Sequence, residues 1–248
     1  DGTLHDPLGG IADALAGHVR FIGDAGLRIQ EDYLRILRFF RFFAWYGDPA
    51  MGIDADGLAA CAGNLDGIDG LSAERIGQEM RKLLSAPNPA PAVASMAASG
   101  ALLRVLPGAG PNALTVLIHL EEIAGIEPDF SRRLAALGGD PTRLRLTNAE
   151  AQRHEILRDM DIGAGEAGYR FGAQIATDRA LVLAASLSQP LRDADVAAAR
   201  HGAGQILPVK AADFMPGLEG PALGAALKQA EARWIASGFT LTRNDLLA

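Results

Sequence analysis

The sequence predicts an all-α protein, and three observations support this fold class. Of the 248 residues, 49% are apolar and only 6% are aromatic, a composition that suits packed helices better than sheets. Apolar side chains recur at helical spacing, as at Ile76 and Met80. Capping signals precede such stripes, as in the Thr147 and Glu150 pair. We therefore expect a multi-helix chain, with a short strand or hairpin only in the glycine-rich residues 1–28, at the end of a sheet domain.

The predicted helices follow from apolar stripes and their flanking residues. An apolar helix over 31–46 ends at Gly47-Asp48-Pro49. A short helix over 54–63 precedes a helix over 73–85, for which Ser72 is the N-cap. The Ala-Pro-Asn-Pro-Ala-Pro run that starts at residue 86 marks a boundary. The remaining predicted helices span 91–99, 112–124, 129–137, 147–161, 166–188, 193–201 and 221–236.

Composition and charge exclude several classes of protein. The formal net charge is −7, and residues 166–248 carry as many acidic as basic residues, so no part is a generic basic nucleic-acid binder. No apolar run reaches the 18 residues of a membrane span. The single cysteine, Cys61, excludes an internal disulfide and predicts a cytoplasmic protein. The five histidines show no metal-binding spacing, so no metal site is expected in this chain.

The most informative stretch is Glu-Asp-Tyr-Leu-Arg at 31–35. In the helix predicted over 31–46, Asp32 and Arg35 lie on one face at i and i+3 and present an acceptor beside a fork of donors. This pair complements the Watson–Crick edges of cytosine and adenine, which show an amine next to a ring nitrogen, and it mismatches uracil and guanine. The alternative is an ordinary first helical turn whose acids favour the helix dipole.

Three arginines repeat along the same helix at every third residue. Arg35, Arg38 and Arg41 form a stripe on a helix that is otherwise strongly apolar. Because a buried guanidinium requires partners, either a bound nucleotide or acids of a neighbouring helix should face this stripe. Glu31 is predicted to steady Arg35.

Four short motifs occur in a fixed order within the first 85 residues. They are D-P-x-G-G with a following Asp (6–13), R-F-x-G (20–23), E-D-x-x-R-x-x-R (31–38) and E-R-I-x-x-E with a K-L-L end (74–84). In order and spacing they resemble the class II tRNA nucleotidyltransferase and bacterial poly(A) polymerase family. The resemblance is dense over residues 1–85 and weaker beyond.

The resemblance implies a neck over 29–85 that selects the nucleotide, a helical body over 86–165 and an RNA-binding tail over 166–248. The implied activity is the addition of CCA to tRNA 3′ ends from CTP and ATP. The implied site residues fall into three groups: nucleotide binding by Asp32, Arg35, Glu31 and Arg38, hinge or support by Asp6, Gly9, Gly10, Glu74 and Arg75, and RNA binding by Arg200, Lys210, Lys228 and Arg233.

The sequence also departs from this family. Members begin with a sheet domain, the head, whose Gly-Ser loop and Asp-x-Asp pair hold Mg²⁺, and neither feature is found in a suitable context here. We therefore expect a fragment that lacks the head, contains no catalytic residues and is inactive alone. Two alternatives remain, a poly(A) polymerase that adds only adenylate and a non-catalytic helical interaction module.

Overall fold

The computed structural model describes residues 5–215 and 217–248, and this part of the chain is helical without a sheet, which confirms the all-α prediction. Its only β pairing is an isolated bridge between Ala109 and Gly138. In chain order the α-helices are α1 (Gly10–Ala16), α2 (Ala25–Glu31), α3 (Leu34–Tyr46), α4 (Ala55–Gly63), α5 (Ala73–Leu84), α6 (Ala90–Ala98), α7 (Ala101–Val105), α8 (Asn112–Ala124), α9 (Phe130–Leu137), α10 (Asn148–Arg158), α11 (Ala164–Phe171), α12 (Ala173–Ser186), α13 (Asp193–Ala203), α14 (Gly220–Ala236) and α15 (Arg243–Leu247).

The predicted strand or hairpin within 1–28 is wrong for residues 5–28, and residues 1–4 lie outside the described residues. Helices α1 and α2 occupy this segment instead. The Asp6 carboxylate accepts the backbone N–H groups of Gly10 and Ile11, each at 2.8 Å, and so caps α1. Asp24 accepts the N–H of Leu27 at 2.7 Å and caps α2. Two glycines of this segment, Gly9 and Gly17, are the N-cap and the C-cap of α1.

Helix α3 begins three residues later than predicted. Asp32 is extended, with φ −159°, and separates α2 from α3. Its Oδ1 accepts the N–H of Leu34 at 3.1 Å, so it supports the start of α3 without belonging to it. Glu31 is the last residue of α2. The argument that Asp32 and Arg35 share one helical face therefore does not hold, because a break in the helix separates them.

The core of the first compact unit forms around α3 and α5. This unit comprises the described residues up to Arg158 together with Val182–Pro190. Phe40 and Ile36 of α3 and Ile76 and Met80 of α5 are almost completely buried. Burial of side chains of this size is worth roughly 1.5–3 kcal/mol each. The arginine stripe is thus carried by a helix that is firmly embedded in its unit.

The first unit also contains a buried charged cluster at the junction of α8 and α9. The Glu121 carboxylate accepts the Nε–H groups of Arg132 at 2.8 Å and Arg133 at 2.9 Å. Arg133 additionally donates to the carbonyls of Leu84, at 2.8 Å, and Pro87, at 3.0 Å. This cluster ties the end of α5 and the proline-rich segment to the helices that follow.

The second compact unit consists of Asp159–Leu181 and the described part of Leu191–Ala248. Helices α11 and α13 approach closely, since a Cβ on Gly168 would lie 2.1 Å from the carbonyl oxygen of Ala199. The predicted helix 166–188 is interrupted at Gly172, whose φ of +86° ends α11. Trp234 and Tyr169 pack edge to face at 5.4 Å. The predicted boundaries at 28, 85 and 165 describe functional segments and stay a prediction.

Candidate functional site

A cavity of about 240 Å³ opens beside the first turns of α3 in the first unit. Four guanidinium groups and three phenylalanine rings surround it, a combination that suits a ligand with anionic and flat aromatic parts. Two of the predicted nucleotide-binding residues, Arg35 and Arg38, line this cavity, whereas Glu31 and Asp32 stand outside its wall. The lining residues are Val19, Arg20, Phe21, Ile22, Arg28, Arg35, Arg38, Phe39 and Phe42.

Arg35 is held by the end of α2. Its Nη1 donates to the Glu31 carboxylate and to the carbonyl of Arg28, the latter at 2.6 Å. Arg28 in turn donates to Glu31 at 2.6 Å. The guanidinium of Arg35, followed by that of Arg28, holds the pKa of Glu31 below its usual value. The predicted contact between Glu31 and Arg35 is therefore present, and it brings two arginines side by side at the cavity.

Asp32 is paired with α5 rather than with Arg35. The Nη2 of Arg75 donates to both carboxylate oxygens of Asp32, at 3.0 and 2.8 Å. Arg75 thus fixes the acid at the α2–α3 junction, and its supporting role in nucleotide binding stays a prediction. Glu74, the other predicted support on α5, instead faces Arg145 at 3.4 Å in a largely exposed pair. This contact does not connect Glu74 to the cavity, and its supporting role stays a prediction.

Glu79 is a site residue that the sequence interpretation did not single out. It is only 5% exposed and lies 2.7 Å from Nε of Arg41 and 3.7 Å from Nε of Arg38. The sequence predicted that either a nucleotide or an acid of a neighbouring helix would face the arginine stripe. Glu79 of α5 is such an acid, and it faces Arg38 and Arg41. The available signal was the second acid of the E-R-I-x-x-E motif, one turn beyond Arg75.

Arg20 was also missed, although it belongs to a quoted motif. Its Nε donates to Asp13 at 2.7 Å, and this guanidinium lowers the pKa of the Asp13 carboxyl. Asp13 is the last acid of the motif at 6–13, so that motif connects to the cavity through Arg20. Asp6, Gly9 and Gly10 form the start of α1, where Gly9 is left-handed with φ +70°. A hinge function for these three residues stays a prediction.

The predicted RNA-binding residues lie on three parts of the second unit. Arg200 is exposed on α13, and Lys210 is exposed in the loop that follows this helix. Lys228 and Arg233 are exposed on α14, and Arg233 donates to the carbonyl of Asp245 at 2.8 Å. Lys228 and Arg233 therefore share one helix, while Arg200 and Lys210 belong to other elements.

The described residues contain neither a preformed metal-binding cluster nor a membrane-spanning helix. Within 5–215 and 217–248, no group of three or more His, Cys, Asp or Glu side chains is placed to hold a metal ion. The donor set for Mg²⁺ is therefore not found in this part of the chain. Within the same ranges, no helix is long and apolar enough to cross a bilayer.

The fold and the cavity define a class of protein, an all-helical chain with an arginine-rich, aromatic-walled ligand site. A family model described as a probable RNA and SrmB-binding site of polymerase A matches residues 50–111. Mouse mitochondrial CCA tRNA nucleotidyltransferase 1 is 49% identical over 85 residues, which are 34% of this chain and 20% of that protein. The multifunctional CCA protein of Halorhodospira halophila is 31% identical over 170 residues, 60% of this chain and 39% of that one.

Solved structures show the same fold. The CCA-adding enzyme of Bacillus stearothermophilus, solved in complex with CTP, gives a TM-score of 0.64 at 22% identity over 94% of this chain and 64% of that one. The Thermotoga maritima CCA-adding enzyme, complexed with tRNA, gives 0.61 at 16% identity over 98% and 65%. The chain thus spans less than two thirds of these relatives. Family model, relatives and fold therefore agree in one respect: each is a similarity between parts of this chain and CCA-adding enzymes or polymerase A.

Proposed function

We propose that this chain is the nucleotide-selecting and RNA-binding part of an enzyme that adds CCA to tRNA 3′ ends from CTP and ATP. The observation that carries the proposal is the cavity beside α3, where Arg20, Arg28, Arg35 and Arg38 meet the phenylalanine rings. Guanidinium groups bind phosphates through paired, charge-assisted hydrogen bonds. Aromatic rings bind the flat face of a base. Both halves of a nucleoside triphosphate therefore find suitable groups at one place.

Base selection is assigned to Asp32 and Arg35, which flank the start of α3. A carboxylate can accept about four hydrogen bonds, so Asp32 retains acceptor capacity for an exocyclic amine while Arg75 holds it. Arg35 keeps donors beyond the Nη1 that is engaged with Glu31 and Arg28. Acceptor and donor would then match the edges of cytosine and adenine. Uracil and guanine would leave buried polar groups unpaired.

RNA binding is assigned to two regions. The matched family model, whose description concerns RNA binding, covers residues 50–111 of the first unit. The second region is the tail, where Lys228 and Arg233 are exposed on α14. Contacts of this kind go to the phosphate backbone and recognise shape rather than sequence. This arrangement suits an enzyme that must accept many tRNAs.

Nucleotidyl transfer itself is assigned to a head domain outside this chain. Transfer to a 3′-hydroxyl needs metal ions that neutralise charge on the phosphates, and the Mg²⁺ would be held by the acids of that head. The chain's own residues bind and orient the nucleotide. A cytoplasmic location stays a prediction, since the name of the mouse relative places that protein in mitochondria.

A titration of the chain with CTP tests the proposal. Arg38→Ala removes a cavity guanidinium and should weaken CTP binding by about tenfold, the value of one charge-assisted contact. Arg104→Ala is the matched control, because Arg104 is similarly exposed in the same unit but pairs with Asp66 and Asp69 away from the cavity. Equal affinities for both variants and the wild type would contradict the proposal.

A second candidate is a poly(A) polymerase, which the description of the matched family model favours. It would use the same cavity but accept only ATP. Binding of ATP without CTP would support this candidate over CCA addition. Failure to bind any nucleotide would leave the third alternative, a helical interaction module.

A further inference from the structure

Three large aromatic side chains of α3 are exposed to solvent. Phe42 is 40% exposed, Trp45 is 44% exposed and Tyr46 is 67% exposed, whereas Phe40 and Phe43 of the same helix are buried. All three rings belong to the second half of the helix. We call Phe42, Trp45 and Tyr46 the aromatic platform. Exposed rings that adjoin one another are unusual on a soluble surface and mark contact sites.

The rings of the platform are held by their neighbours. The centroids of Phe42 and Tyr46 lie 6.0 Å apart at an interplanar angle of 35°. The Arg41 guanidinium carbon lies 4.3 Å from the centroid of Phe42. The indole N–H of Trp45 donates to the carbonyl of Lys82 at 2.7 Å. A ligand would therefore meet rings that are already oriented, at little entropic cost.

The platform continues the nucleotide cavity along one face of the helix. Arg35, Arg38, Phe42 and Tyr46 stand at i, i+3, i+7 and i+11, which is one helical stripe. Phe42 belongs to both surfaces, since it also lines the cavity. A molecule on the platform would thus lie directly beside a nucleotide in the cavity.

Charge identifies the kind of molecule that would bind there. Arg38 lines the cavity together with Phe42, Arg41 lies over the Phe42 ring, and the acid that faces both arginines is the buried Glu79. Aromatic rings alternating with cations are the recognition pattern for single-stranded nucleic acid, whose bases stack while its phosphates contact the charges. A purely apolar protein partner would cover the Arg38 guanidinium, which is 44% exposed, and offer it no anion beyond Glu79 at 3.7 Å.

We propose that the aromatic platform stacks the unpaired bases at the 3′ end of the RNA. The inference rests on the proposed function, because nucleotide addition requires the RNA 3′ end to lie next to the incoming nucleotide. It assigns a binding role to Tyr46 and Trp45, which line no part of the nucleotide cavity. RNA bases would stack on the rings, and the adjoining phosphates would face Arg38 and Arg41.

A fluorescent RNA tests the platform on the 248-residue chain. The probe is a short single-stranded RNA that ends in two cytidines followed by 2-aminopurine, whose fluorescence falls when the base stacks. Tyr46→Ala should weaken RNA binding roughly 5- to 150-fold, the range expected for one lost base–ring contact, and should abolish the quenching. Tyr46→Phe keeps the ring and should restore both. Ile123→Ala, a substitution at an exposed apolar position on α8, is the control and should change neither.

A parallel CTP titration separates this inference from the proposed function. Weaker RNA binding by Tyr46→Ala with unchanged CTP affinity supports the platform. Equal RNA affinity and quenching for Tyr46→Ala and wild type overturn it, and so does a wild-type chain that binds CTP but not the RNA, which would make this face a protein contact. If the wild-type chain binds neither CTP nor RNA, the proposed function fails as well.

Discussion

Arg75 on α5 holds both carboxylate oxygens of Asp32 through a single Nη2 atom, across 43 residues of sequence. Arg75 does not line the cavity, yet its hydrogen bonds fix the position of Asp32, the acid that we propose reads the base. It also explains how Asp32 can stand in an extended junction between two helices and still be fixed. The first two predictions follow from this pair.

Asp32→Ala should relax base choice more than it weakens binding. The acid is proposed to accept the exocyclic amine of cytosine or adenine, while the arginines bind the phosphates. The ratio of CTP to UTP affinity should therefore fall by about tenfold or more, with a smaller change in CTP affinity itself. Titration of both nucleotides measures this ratio. A ratio equal to that of the wild type would make Asp32 a structural residue.

Arg75→Ala should act in the same direction as Asp32→Ala because it frees the acid from its fixed position. We expect a smaller loss of the CTP to UTP ratio, since the carboxylate is still present. Arg145→Ala is the matched control, because it removes another arginine that faces an acid of α5, here Glu74 at 3.4 Å. Loss of selectivity in the control as well would refute a specific role for Arg75.

The chain alone should transfer no nucleotide. The Asp-x-Asp pair that the family resemblance implies for Mg²⁺ binding is not found in this sequence in a suitable context, and neither is the Gly-Ser loop. A tRNA without its CCA end, incubated with the chain, CTP, ATP and Mg²⁺, should therefore keep its length on a sequencing gel. Extension of this tRNA by the purified chain would show that the chemistry does not need a separate head.

Lys228→Ala combined with Arg233→Ala should weaken tRNA binding about equally for different tRNAs. Each lost phosphate contact reduces the slope of log affinity against log salt by about 0.7–0.9, so two contacts flatten it by about 1.4–1.8. Titration with two tRNAs at two salt concentrations measures this slope. Arg192→Ala is the control, because Arg192 is an exposed arginine of the same unit that pairs with Asp195 at 2.8 Å. A slope unchanged in the double variant would remove α14 from the RNA site.

His154 should make the stability of the first unit fall in mild acid. The side chain is 5% exposed on α10, and burial lowers its pKa to about 4 from the usual 6.5. The unfolded chain therefore binds a proton that the folded chain does not. The contribution of neutral His154 to the free energy of unfolding is fully present above pH 6.5. It decreases as the pH falls toward 4, by up to about 1.4 kcal/mol per pH unit.

Urea unfolding at pH 7.0, 5.5 and 4.5 measures this loss. His154→Leu should flatten the dependence over this range, while His119→Leu, at an exposed position on α8, should leave it as in the wild type. If His154→Leu loses as much stability between pH 7.0 and 4.5 as the wild type does, another group is responsible.

Local signals in the sequence predicted much of the helical framework. Helix α8 has its predicted range, Asn112–Ala124, and Ser72 accepts the N–H of Arg75 as the predicted N-cap of α5. Thr147 and Glu150 form the predicted capping box with both hydrogen bonds. Such features depend on residues within one turn of each other, so sequence reading can reach them.

Contacts between distant segments were beyond such reasoning. Asp32 was assigned to a helix that includes Arg35, because nothing local shows the extended φ that divides α2 from α3. Its pairing with Arg75, and the pairing of Arg41 with Glu79, depend on how α3 packs on α5. The cavity could not be predicted from the sequence either, because Arg20 and Arg28 lie beside the α3 arginines only in the folded chain. The partners of these residues were set by tertiary structure.

Binding of the four nucleoside triphosphates to the wild-type chain tests whether Asp32 and Arg35 select the base. Equilibrium dialysis of CTP, ATP, UTP and GTP under one salt condition measures whether the chain itself selects the base. We expect CTP and ATP to bind at least tenfold more tightly than UTP and GTP, because only their edges match Asp32 and Arg35. Equal affinity for all four triphosphates would contradict the claim that this part of the enzyme chooses the nucleotide.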